Sequence, residues 1–216
     1  MNSNLIKATI AFVKQELSGN ESGHDWWHTY RVYKTAESIA EKEYCNKTVV
    51  LLGALLHDIS DAKLNGGDEK LAGKLAGDFL ARQKVDPDII QEVLYIIEHI
   101  SFRKNLNKKS ELTPELAVVM DADRLDAIGA IGIARTFNYG GFKNRLIYDP
   151  DYNQPDADTY DGYTKSEAPT IQHFYDKLLH LKDLMNTKTG KTIAEERHRF
   201  METYLGRFYK EWNGEM

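Results

Sequence analysis

The amino-acid sequence predicts an all-α protein organised as one domain, a single-domain helical bundle over residues 1–216. Apolar residues recur three and four apart through most of the chain, and period-two alternation is nearly absent. The pairs Asp86-Pro87 and Thr113-Pro114 each set a capping side chain before a proline suited to the first helical position. With 216 residues and 42% hydrophobic composition, the chain can bury a sizeable core.

The first helix is expected from Ile6, Ile10, Val13 and Leu17, with Ser3 as a cap and a Ser-Gly-Asn stop at 18–20. A second runs from Asp25 to about Tyr44, with Val32, Ala36 and Ile39 on one side and His28 on that same side. The third spans about Lys47 to Ile59, and its VVLLGALL stretch is apolar nearly all round, as in a central helix. After a KLNGGD loop, Leu71, Leu75 and Phe79 mark the fourth; IIQEVLYIIEHI forms the fifth. Beyond the polar stretch RKNLNKKSEL, the segment ELAVVMDADRLDAIGAIGIA reads as one sixth helix carrying Asp121, Asp123 and Asp126. Residues from about 138 to 166 are rich in Gly, Pro, Asn, Asp and Tyr without sustained period, as in a lid or binding loop. Helices over Ile171 to Met185 and Ile193 to Trp212 fill residues 167–213, the last with Met201, Leu205, Phe208 and Trp212 on one face.

Composition removes several function classes. A formal net charge of -5 argues against broad binding to nucleic acid polymers or anionic membranes, while a local basic pocket for a small anion stays compatible with it. Cys45 is the only cysteine, which excludes an intramolecular disulfide and a Cys-rich zinc site. Neither a signal-peptide pattern nor an apolar run of membrane-spanning length appears, so a cytoplasmic location is expected.

The stretch GALLHDISD at 53–61 poses the chemical question, since an apolar helix ends in His57, Asp58 and Asp61. Burying a carboxylate beside an imidazole is costly unless something pairs with it. Three helices each bring a metal-competent group into apolar surroundings: His28, the His57-Asp58 pair, and a carboxylate of the DADRLD run. Two imidazoles with two carboxylates suit Mn, Fe, Co, Ni or Zn, with Mg less partial to nitrogen. Such a cation offsets the buried charge and activates water for attack. The plain alternatives are a core or capping role for His28, ion pairs of Asp121 and Asp126 with Arg124, Arg135 or helix ends, and a hydrogen-bonded core histidine at His99. Trp26 and Trp27 read as packing rather than a stacking platform, and His24 as a helix-start residue.

The phrases GHDWWHTYRV, LLHDISD and DADRLDAIGAIGIAR resemble the ordered motifs of the HD-domain metal-dependent phosphohydrolase superfamily, and within it a bacterial subgroup of nucleotide pyrophosphohydrolases. The resemblance covers roughly residues 20–135. It implies an all-helical bundle and one divalent metal ion, Mn foremost, on His28, His57, Asp58 and Asp123, with Asp121 the rival for the last place. It further implies hydrolysis of nucleoside triphosphates to monophosphate and pyrophosphate. Asp61 is the candidate general base, and His99 a candidate phosphate ligand or general acid. Cations for the developing phosphate charge are sought among Arg31, Arg103, Lys104, Arg124, Lys177 and Lys182; Tyr139, Tyr152 or Tyr163 could stack on a base. The same ligands would serve a 5'-nucleotidase or a guanosine tetraphosphate pyrophosphohydrolase, and a nucleotide-binding regulatory HD domain is the non-enzymatic alternative. The cyclic-dinucleotide branch is rejected, because Thr164 follows the Asp-Gly-Tyr at 161–163 where that branch has proline. The expected partner is a small-molecule nucleotide, with the chain a monomer or homodimer.

Overall fold

The computed structural model describes residues 3–18, 25–60, 70–100, 111–152 and 168–215. Helices make up its regular structure, with no strand among the described residues. The fold groups into two compact units, Met1–Asp126 with Met185–Thr192, and Ala127–Leu184 with Ile193–Met216.

The first unit contains α1 (Ser3–Glu16), α2 (Trp26–Ala40), α3 (Lys47–Leu56), α4 (Leu71–Arg82), α5 (Pro87–His99) and α6 (Pro114–Asp126). Its centre is α3, which packs against α1, α2, α5 and α6. Every residue from Val49 to Leu56 is buried, as an apolar stripe on all sides requires. Asn46 starts α3 by accepting hydrogen bonds from the Thr48 and Val49 amides. Asp25 caps α2 on the His28 amide, and Asp86 caps α5 ahead of Pro87. In α4 the buried stripe is Ala72, Ala76, Phe79 and Leu80, one residue round from the expected Leu71 and Leu75; Phe79 stacks on Phe12 with ring centroids 4.3 Å apart.

The second unit contains α7 (Gly129–Phe142), α8 (Gln172–Asp176), a 3-10 helix (Leu178–Leu184) and most of α9 (Lys188–Trp212). Three expectations change. The single sixth helix is two helices, because Ile128 is extended (φ -127°, ψ 167°) and Gly129 has φ +75°, a left-handed conformation that glycine adopts without Cβ strain. The expected helix from Ile171 to Met185 breaks at Lys177, whose φ of -141° leaves the helical region. At the expected loop from 138, α7 instead continues to Phe142, with Phe137 against Phe174 and Tyr204, each at 6.1 Å. Leu146 and Ile147 then accept from the Thr170 and Ile171 amides at 2.8 and 3.0 Å; the stretch 153–167 lies outside the described residues. Among the described residues, no helix is long and apolar enough to cross a membrane.

Candidate metal centre

Three helices of the first unit build the centre. His28 lies in the first turn of α2, where the Asp25 cap anchors its amide at 2.8 Å. His57 is the C-terminal cap of α3, and Asp58 follows it in a turn. Asp123 and Asp126 occupy the last turn of α6.

Among the described residues, His28, His57 and Asp58 form a cluster whose ligand atoms all lie within 4.8 Å of one another. His28 Nε2 is 3.6 Å from Asp58 Oδ2 and 3.4 Å from Asp123 Oδ1, and His57 Nε2 is 3.4 Å from Asp58 Oδ2. Two atoms each about 2.1 Å from a shared ion stand roughly 3 to 4 Å apart, so these separations suit a common cation. Both imidazoles are buried, and His57 Nε2 has no hydrogen-bond partner among the described residues.

The other nitrogen of each ring fixes its tautomer. His28 Nδ1 donates to Asp126 Oδ2 at 2.7 Å, and His57 Nδ1 donates to the Ala54 carbonyl at 2.9 Å. Both acceptors lack a proton, so the Nδ1 atoms carry hydrogen and the Nε2 lone pairs of the neutral rings point to the cluster. This arrangement, with the acidic groups beside it, fits a divalent cation bound through Nε2.

Charge follows geometry. Burial opposes a charged His57, but Asp58 and Asp123 outweigh it and push its pKa up to about 9. At His28, burial likewise opposes the charge, and Asp126, Asp58 and Asp123 raise the pKa above its ordinary value. Without a cation, protons take its electrostatic place.

The remaining sequence candidates separate clearly. Asp121 is fully buried, accepting from the amides of Asn186 and Thr187, from Asn186 Nδ2 and from Thr187 Oγ1 at 2.7 to 3.1 Å. That engagement occupies its oxygens away from the cluster. Arg124 is mostly buried beside Asp121, its Nη1 3.8 Å from Asp121 Oδ1; burial lowers the guanidinium pKa, opposed by Asp121 and Asp123. Arg31, read as a phosphate-facing cation, instead donates to Asp126 through Nε at 2.6 Å and Nη2 at 2.9 Å. The departure has a plain reason: Asp126 lies in reach, buried, with one oxygen already on His28.

His99 ends α5, with Nδ1 donating to Tyr95 O at 2.9 Å and its ring stacked on Tyr95 at 4.1 Å. Lys177 caps α8 in the second unit and Lys182 lies in the 3-10 helix. Burial, then Lys177 and Arg145, press the His173 pKa down to about 4, which marks a basic locality in that unit. Asp61, Arg103, Lys104, His24 and Tyr163 lie outside the described residues. For Asp61 the helical premise changes nonetheless. It assumed that α3 continues past His57, whereas α3 ends at Leu56 and the His57 ring takes the Ala54 carbonyl that the Asp58 amide would need.

Sequence reasoning underrated Asp126, which it read as an ion-pair or helix-end residue. The available signal was spacing: Asp126 stands one turn beyond Asp123, as Arg31 stands one turn beyond His28. Trp27, expected to pack, is 62% exposed.

Comparisons with known proteins agree with this geometry. The HD-domain family profile matches residues 26–128, a span holding all the residues of the cluster. The chain is 38% identical to the protein YpgQ of Bacillus subtilis over 204 residues, covering 94% of this chain and 91% of that one. A crystal structure of an HD-superfamily hydrolase from Bacillus thuringiensis superposes with a TM-score of 0.79 at 44% identity, covering 99% of both chains. The crystal structure of Bacillus subtilis YpgQ in complex with ADP superposes with a TM-score of 0.73 at 33% identity, covering 96% of this chain and 95% of that one.

Proposed function

We propose, because the chain belongs to the HD-domain superfamily of hydrolases, that it hydrolyses nucleoside triphosphates to a monophosphate and pyrophosphate. The observation that carries the reading is the buried cluster of His28, His57 and Asp58, two imidazoles with their Nε2 atoms turned to one point beside a carboxylate. The nucleotide part of the reading draws support from the ADP complex of YpgQ.

His28, His57, Asp58 and Asp123 would hold one divalent ion, Mn foremost, with Ni, Co, Fe, Zn or Mg as the other candidates. When bound, such an ion polarises phosphate oxygens and increases the acidity of water. The chain's own groups supply the rest. Buried imidazoles locked through Nδ1 keep the Nε2 donors fixed in direction. Asp61 is the proposed base that takes the proton of the attacking water, and His99 the proposed acid at the leaving phosphate. Arg124, beside Asp123 in sequence, is the proposed partner for developing phosphate charge, with Arg103, Lys177 and Lys182 as further phosphate contacts. The enzyme is read as cytoplasmic, acting on small nucleotides as a monomer or homodimer.

Purified protein with Mn, offered nucleoside triphosphates, deoxynucleotides, monophosphates and guanosine tetraphosphate, tests this by chromatographic separation of products. Monophosphate plus pyrophosphate is expected from triphosphates, with turnover and bound Mn lost together in His57→Ala at retained helical content. Nucleoside plus phosphate from monophosphates, or release of pyrophosphate from the alarmone alone, would replace the reading with a 5'-nucleotidase or an alarmone hydrolase. Full turnover in His57→Ala would remove the site itself.

A further inference from the structure

Half-exposed Arg31 and buried Asp126 form an ion pair that the metal reading leaves without a task. Asp126 is the last residue of α6 and is 4% exposed. A carboxylate there is doubly unfavourable: it is withdrawn from water, and it sits at the negative end of the helix dipole. What offsets this is a pair of donors from α2. Arg31 grips both oxygens, Nε on Oδ1 at 2.6 Å and Nη2 on Oδ2 at 2.9 Å, while His28 Nδ1 donates to Oδ2 at 2.7 Å.

The two helices therefore meet through matched pairs. On α2, His28 and Arg31 are three residues apart; on α6, Asp123 and Asp126 are three residues apart. His28 Nε2 faces Asp123 Oδ1 at 3.4 Å, and the next turn of each helix carries the Arg31–Asp126 contact. The inner pair contains ligand candidates and the outer pair holds them in register.

We propose that Asp126 and Arg31 are positioning residues for the metal centre: Asp126 fixes the His28 ring with its Nε2 toward the ion, and Arg31 fixes Asp126. The chemical class of Arg31's partner is thus the protein's own carboxylate, and substrate phosphate must be held by other cations. The consequence is that Arg31 governs affinity for a divalent cation in the absence of any nucleotide. A bidentate guanidinium on a carboxylate constrains direction as well as distance, so lysine is an incomplete substitute.

The inference rests on the metal reading of the cluster, and Mn alone is the probe that separates the two. Calorimetric titration of nucleotide-free protein with Mn would compare the unchanged protein with Asp126→Asn, Arg31→Gln and Arg31→Lys, with thermal unfolding of each metal-free form alongside. Asp126→Asn is expected to weaken Mn binding about 10- to 100-fold, the usual range for a group that orients a ligating histidine. Arg31→Gln should weaken it in the same direction by less, and Arg31→Lys should recover part of that loss. Should Asp126→Asn fail to fold, the half-exposed Arg31 variants still decide the question. Lowered thermal stability with unchanged Mn affinity would reduce the pair to a clamp between helices and overturn the proposal. So would unchanged Mn affinity in Arg31→Gln with a raised KM for phosphate substrates. If the unchanged protein binds no Mn, the metal reading fails, and the positioning role with it.

Discussion

His57 joins the geometry of the candidate centre to its electrostatics. In the metal-free protein its pKa is pushed up to about 9 from 6.5, burial being overcome by Asp58 and Asp123. A folded-state pKa above the unfolded one means that proton binding stabilises the fold. That stabilisation is fully present below pH 6.5 and is lost as pH rises through about 9. A cation at Nε2 must displace this proton, so its affinity should climb with pH across the same window. Mn titrations in buffers of different ionisation enthalpy should show proton release that shrinks toward the upper end. A thermal shift on Mn addition that is constant from pH 6.5 to about 9 would show that no proton competes with the metal for His57 Nε2.

At the scale of elements, the decisive break is the one between α6 and α7, which ends the acidic helix immediately after Asp126. Gly129, at φ +75°, makes that break, and a Cβ there would also stand 2.9 Å from Arg197 Cγ. Gly129→Ala should therefore cost about 1 to 2 kcal/mol from backbone conformation alone, read as a lower urea midpoint at unchanged slope; an unaltered midpoint would mean that the turn relaxes freely. This junction also shows where the sequence was readable. The caps Asp25, Asn46 and Asp86 and the apolar α3 follow from local chemistry, and so do His28, His57 and Asp58, because motif and burial point to the same atoms. The α6–α7 break was hidden, since Ala-Ile-Gly-Ala-Ile-Gly keeps helical periodicity and a single glycine signals a stop only through its φ. The role of Asp126 was hidden for a related reason: its partners His28 and Arg31 lie 98 and 95 residues away in the chain. Asp121 and Asp123 stand two residues apart in one acidic run, and the structure separates them: Asp123 lies 3.4 Å from His28 Nε2, while Asp121 is taken up by Asn186 and Thr187.

At the scale of the molecule, the first unit is not continuous in sequence. It takes its residues from the start of the chain and then from Met185–Thr192. Asp121 is the clasp: fully buried, it receives the amides and side chains of Asn186 and Thr187. Gly190 must lie close for this, since a Cβ at that position would run into Asp121 Oδ2. Removing the carboxylate strands several buried donors, so Asp121→Ala should destabilise the protein by about 3 kcal/mol. Its affinity for Mn should change little, as the clasp carboxylate is spent on the chain itself. A chemical denaturation curve with a parallel Mn titration checks both; a large loss of metal binding at unchanged stability would return Asp121 to the ligand set.

The same clasp has a consequence for how the protein is made. A ribosome releases the N-terminal helices first, at roughly 5 to 20 residues per second. When α6 emerges, its buried aspartate has no donors, and they arrive only after 64 intervening residues, from Ala122 to Met185, have been threaded out. During those seconds the nascent first unit carries an unsatisfied charge at a position destined for its interior. Stalled chains ending at Asp126 should accordingly be open to protease, and resistance should appear abruptly once residues up to Thr192 clear the exit tunnel. The unit that carries the candidate metal centre is among the first parts of the protein to be synthesised, yet it waits for a late segment before it can close.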